Sequence, residues 1–155
     1  MSERWLGLVV MSEAIDAVDL EVPVSGPLVV QMHTRWKLQA GARPAAYAVM
    51  FRRIADYVRE NSVRQVVIKG SALSHITKMA HLEAAELRGV AAAACAEHAT
   101  AIFSLRAQIS KNFGTRDTDE YLKDTTFWQS EVAGDLPIGR REAAFLVLAK
   151  ARPRP

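Results

Sequence analysis

Three short apolar runs open the chain: WLGLVVM at 5–11, AVDLEV at 17–22 and LVVQMHT at 28–34. Only SEAID separates the first two and only PVSGP the last two. Parallel neighbours need a crossover of a dozen or more residues, so links this short predict three antiparallel strands. Arg35–Leu38 extends the third run.

The pattern then changes. Gly41–Pro44 stops the sheet, and a helix is expected from Pro44, where proline suits a first turn. Tyr47, Met50, Phe51, Ile54, Tyr57 and Val58 recur at helical spacing, and Asn61-Ser62 closes the element. A fourth strand is expected over Val63–Ile68, apolar enough to be covered on both faces. A second helix is expected over Thr77–His98, a fifth strand over Ala101–Leu105 and a short helix over Ala107–Asn112. The polar stretch Gly114–Pro137 carries helical turns near 119–123 and 127–132, and Gly139–Ala151 reads as a final amphipathic helix. Gly89 weakens the second helix, which implies a close packing partner there. The expected fold is α/β: a mixed five-stranded sheet, three antiparallel strands followed by β-α crossovers, flanked by helices.

The 155 residues predict a single domain, 1–155, with a variable polar connection at about 114–138 and a basic tail at 151–155. No apolar run approaches the ~20 residues of a membrane span. The N-terminus lacks the long apolar region of a signal peptide, so the expected location is the cytoplasm and no membrane partner is expected. The lone cysteine, Cys95, excludes an internal disulfide or a cysteine-built zinc site and reads as a small buried hydrophobe. A net charge of +3 permits nucleic-acid binding without arguing for it. Arg140, Arg141, Lys150, Arg152 and Arg154 make the end basic, which suits either phosphate contact or a solvated, frayed terminus.

WLGLVV, RQVVIKG, HLEAAELRGVAAAACAEHATAIFSL and RREAAFLVLAKA carry a further signal. In this order they resemble the ribonuclease H-like superfamily, in particular its RuvC-resolvase branch, over roughly residues 5–150. They are also similar to a small uncharacterised bacterial family of that fold. The resemblance implies carboxylates that hold two metal ions for phosphodiester cleavage. Its first-strand aspartate falls on about Val9, its fourth-strand glutamate on Lys69, and its last-helix acidic residues on Gly139 and Glu142. Of these four positions only Glu142 is acidic. Two hard cations about 3.5–4 Å apart need several converging carboxylates. A lysine among them adds repulsion of about 4 kcal/mol per unit charge at 4 Å and an effective dielectric of 20. A standard two-magnesium site is therefore not expected, and neither metal nor other cofactor is.

Lys69 suggests a metal-free anion site instead. Ser71, Ser74, His75 and Lys78 follow it and lead into a helix N-terminus. The competing reading is that Ser71 or Ser74 caps the helix and Lys69 is solvated. Glu142 could pair with Lys69. Asp16, Asp19 and Glu21 lie along the first hairpin; acids at 19 and 21 suit a solvated strand face, while Asp16 or Asp19 with Glu142 could form a shifted site for magnesium or manganese. Glu83 and Glu86 share a helix face and suit surface pairing with Lys78 or Arg88. The four histidines have no zinc spacing. Trp36, between Arg35 and Lys37, suits either base stacking with phosphate contacts or an interface anchor on an edge strand.

Three functions remain open at this point. The first is a non-catalytic module with a degenerate active site, regulatory or bound to DNA or RNA through Arg35, Lys37, Lys69, Arg140 and Arg141. The second is a metal-dependent endonuclease with rearranged ligands, Glu142 and Asp16 being the candidate catalytic residues. The third is a homo-oligomeric assembly protein that pairs through Trp36 and binds no nucleic acid. A homodimer is the expected state.

Overall fold

A computed structural model describes residues 2–73 and 78–154. Six strands form one mixed sheet in the order β5-β4-β1-β2-β3-β6. β1 (Glu3–Val10), β2 (Ala14–Val22) and β3 (Leu28–Lys37) form the antiparallel meander. The first turn is tight: Met11 donates its N–H to the Ala14 carbonyl at 2.8 Å. β4 (Val63–Lys69) then lies parallel to β1, and β5 (Thr100–Ser104) lies parallel to β4. α1 (Arg43–Glu60) and α2 (Met79–Ala96) make the crossovers.

The sheet is one strand wider than expected. Val132 and Ala133 form β6, parallel to Leu28 and Val29 of β3. The helical turn expected over 127–132 is α5 (Thr125–Glu131), which ends one residue early so that Val132 can enter the sheet. Before it stand α3 (Arg106–Asn112) and α4 (Thr118–Lys123).

Alternation along β1 and β4 builds two cores. Leu6, Leu8, Val66 and Ile68 face α1 and α2 and pack with Met50, Ile54, Val58, Leu87 and Ala91. Trp5, Val9 and Val67 face the other way, toward α6 (Arg141–Ala151). α6 is not amphipathic in its setting. Every residue from Ala143 to Ala149 is buried, because the polar connection folds over its outer side. Phe113, Tyr121 and Trp128 surround Phe145 there, with ring centroids 5.1–5.9 Å from it. A helix apolar all round needs such cover on every side.

Three further expectations change. Gly89 faces open space, so nothing among the described residues explains its missing side chain. Trp36 turns inward and meets Tyr57 of α1 edge-on, its centroid at 5.5 Å, so it is no free edge anchor. The basic end is docked: Arg152 donates to the Pro23 carbonyl, and Arg154 pairs with Glu131 and lies 4.8 Å over Phe113. Among the described residues no helix is long and apolar enough to cross a membrane.

Gly7 sets how closely α6 approaches the sheet. A Cβ there would lie 2.0 Å from the Ala143 carbonyl oxygen, a backbone atom that cannot turn aside. Gly7→Ala is expected to destabilise the protein by about 1–3 kcal/mol, the usual cost of overpacking a core. Chemical denaturation would measure it, and an unchanged midpoint would contradict the close approach.

Candidate functional site

The site lies on the α6 face, at the ends of the central strands. In register Leu8 stands beside Ile68, Val9 beside Asp16, and Asp16 beside Arg35. Lys69, Val9, Asp16 and Arg35 therefore form a row across four strands, β4-β1-β2-β3, with side chains on one face. α6 and the 3-10 turn before it (Ile138–Arg140) place Glu142 and Arg140 over this row.

Every acidic group in the row has a cation from this chain. The Lys69 Nζ donates to Glu142 Oε2 at 3.1 Å, both side chains being about one-third exposed. Arg35 makes two hydrogen bonds to Asp16, at 2.7 and 3.1 Å, and Arg140 approaches the same carboxylate at 3.4 Å. The Asp16 contact raises the Arg35 pKa, chiefly through the hydrogen bond. The enclosed space beside Lys69 and Glu142 is only about 10 Å³, about the least that can hold a water.

These residues do not fit the metal pair that the fold's sequence pattern implies. The resemblance puts two of the ligands at Val9 and Lys69, and neither side chain can coordinate a hard cation as a carboxylate does. A cation at Glu142 would have to displace Lys69, and one at Asp16 two arginines. Among the described residues no three His, Cys, Asp or Glu side chains lie close enough to share a metal ion.

Other candidates are placed elsewhere. Asp19 is not solvated: it is 0% exposed and lies on the opposite face, toward α1. It accepts bonds from Arg4 and from the Tyr57 hydroxyl, the latter at 2.7 Å. Burial, then the bond to Asp19, pushes the Tyr57 hydroxyl pKa up. Asp19 and Glu142 thus cannot share a site across the sheet. Arg141 is buried and structural, donating to the Leu122 carbonyl and to Thr125 Oγ1, so it is not an accessible anion ligand. Glu83 pairs with Arg43 of α1 at 3.0 Å and Glu86 accepts from Tyr47 at 2.7 Å, not from Lys78 or Arg88. Arg35 and Lys37 point to the face opposite Trp36, so the three cannot grip one nucleotide. Lys78 is exposed at the start of α2, outside the row. Ser74 and His75 lie outside the described residues. Burial pushes the Cys95 thiol up to about 12, which leaves it inert.

The row of Asp16, Arg35 and Arg140 is what sequence reading missed. The signal was the hairpin register: a turn centred on Ser12-Glu13 sets Asp16 opposite Val9.

No protein-family model matches the sequence, and no curated protein matches it. Solved structures do. Thermus thermophilus RuvC superposes with a TM-score of 0.72 over 98% of this chain and 100% of that one, at 10% identity. T. thermophilus RuvC in complex with a Holliday junction substrate gives 0.69, at 10% identity and coverage of 96% and 93%. The yeast mitochondrial Holliday junction resolvase Ydc2 gives 0.62, at 8% identity and coverage of 97% and 78%. The chain has the RuvC-like ribonuclease H-like fold.

Asp19→Asn is expected to destabilise by about 3 kcal/mol, since it leaves Arg4 without its charge partner. Tyr57→Phe, which removes one hydrogen bond, is expected to cost about 1–2 kcal/mol. Equal effects in urea denaturation would show that charge pairing is not what holds Asp19.

Proposed function

We propose that this chain is a non-catalytic, cytoplasmic, homodimeric member of the RuvC-like fold that binds nucleic acid without cleaving it. The observation that carries this reading is the neutralised row: Lys69 on Glu142, and Arg35 and Arg140 on Asp16. Phosphodiester cleavage by two metals needs carboxylates free to converge on cations. Here the carboxylates of that face hold the chain's own cations.

Nucleic-acid binding is supported by what adjoins the row. A cleft of about 790 Å³ opens at the ends of β1 and β4, beside α2. Lys69, His81, Arg88 and Arg106 line it, and among the described residues no carboxylate does. A structural neighbour at 10% identity was solved with a Holliday junction substrate, so the fold is compatible with such a ligand. Lys69 and Ser71 are the sequence-expected anion ligands at this cleft, and Arg35, Lys37 and Arg140 extend a basic surface along the row. The dimer of this reading does not use Trp36, whose ring packs on α1.

The test is a titration of the protein with labelled duplex, branched and single-stranded DNA and RNA, with and without Mn²⁺. Salt-sensitive binding without cleavage is expected. Lys69→Glu should weaken it by adding repulsion and stranding Glu142. Mn²⁺-dependent cleavage that disappears in Glu142→Ala would instead establish the rearranged nuclease. Neither binding nor cleavage would leave assembly as the function, and sedimentation would then report the oligomer.

A further inference from the structure

The cations around the cleft are unequal. Lys69 has Glu142, and Arg106 has Asp119. Arg88 has no carboxylate partner among the described residues. Its Nε donates to the Lys69 carbonyl at 3.1 Å and one terminal nitrogen donates to Ser71 Oγ. The other terminal nitrogen, Nη2, has no acceptor among the described residues. The guanidinium is partly buried, and desolvation lowers its pKa. A partly desolvated cation without a counter-charge is costly, and an incoming anion relieves that cost.

Arg88 also lies where two recesses meet. It lines the 790 Å³ cleft and an adjoining apolar recess of about 490 Å³ with Gly70, Gly89, Phe103 and Leu105. Large apolar groups surround it: Leu73, Leu82 and Leu105 line the cleft, and Phe103, 56% exposed, lines the recess. Duplex nucleic acid offers such a surface phosphates and sugars, because its bases are stacked inside. An unpaired strand offers phosphates and base faces together.

We propose that Arg88 anchors a phosphate of unpaired nucleic acid, with an adjacent base resting on Phe103 and Leu105. The identity of the phosphate's carrier rests on the nucleic-acid reading above; the phosphate anchor itself does not. Arg88 was not among the anion ligands expected from sequence. It read as a surface partner for Glu83 or Glu86, and both of those are taken by α1.

Two measurements test this. In the first, oligothymidylate and a duplex of equal length are titrated into wild type and Arg88→Gln across a range of salt. Wild type is expected to prefer the single strand. Arg88→Gln is expected to bind it about tenfold more weakly, with the salt slope reduced by about 0.7 for one lost phosphate contact. Unchanged affinity and slope in Arg88→Gln, with wild type still binding, would overturn the anchor and leave the nucleic-acid reading standing. Preference for the duplex would overturn the unpaired-strand assignment. In the second, inorganic pyrophosphate is titrated into wild type while the Arg88 Nε–H resonance is followed, which needs no variant to fold. A saturable shift is expected, and no shift would overturn the anchor. A shift in a protein that binds neither nucleic acid would support the anchor and remove the nucleic-acid reading.

Discussion

Helix α6 meets strand β1 almost backbone to backbone at Gly7, and the charged row depends on that contact. Only a residue without Cβ lets the Ala143 carbonyl come so near. The approach seats α6 against β1, β2 and β4, and it fixes the height at which Glu142 and Arg140 meet the sheet. The connection from Phe113 onward then has to cover the outer side of a helix that is apolar throughout. Its aromatic residues do so around Phe145. A segment rich in acids and short in strand formers is therefore a structural layer, pinned further by Asp124, whose carboxylate caps α5 and holds Arg116. The bond from the Phe127 N–H and the Arg116 guanidinium keep the Asp124 pKa below the usual carboxylate range. Its share of stability is present at neutral pH and is lost as pH falls through that depressed value.

Charge explains why the two faces of one sheet differ in kind. Asp19 and Asp16 are three residues apart on β2 and point to opposite sides. Asp19 is sealed under α1 with Arg4 and Tyr57, an arrangement stable only when all its partners are present. Asp16 lies near the end of the sheet, and its arginines reach it from β3 and from the turn before α6. Arg35 is itself exposed. The first set holds the crossover helix in place; the second occupies the region where the fold's sequence pattern puts metal ligands. Acids alternating with apolar residues on β2 looked alike in sequence because the pattern shows the period of a strand but not what covers each side.

The fold was legible because its evidence is local and repeated. Short links forced the meander, and apolar β4 signalled a central strand. β6 was not legible, since two residues carry no period and exist as a strand only because β3 is there to pair with. Trp36 misled for a related reason: Arg35 and Lys37 are its neighbours in sequence, yet a strand sends neighbours to opposite faces. The Lys69–Glu142 pair spans 73 positions in sequence, and only the fold brings its members to 3.1 Å.

A row of ion pairs and a metal site give a surface different chemistry. A divalent ion bound by carboxylates presents net positive potential only while it is loaded, and it activates water there. A lysine and two arginines set against two carboxylates leave one net positive charge on the row without any ion. That charge is fixed, needs no divalent ion and has no open coordination position. Beside it, the cleft adds Arg88, which no carboxylate opposes among the described residues. The potential felt by a phosphate then comes mainly from the cleft rather than the row, because the row's cations are held close to their own anions. The ion pairs of the row tie the strands' ends to α6, and the cation that they leave unopposed lies in the neighbouring cleft.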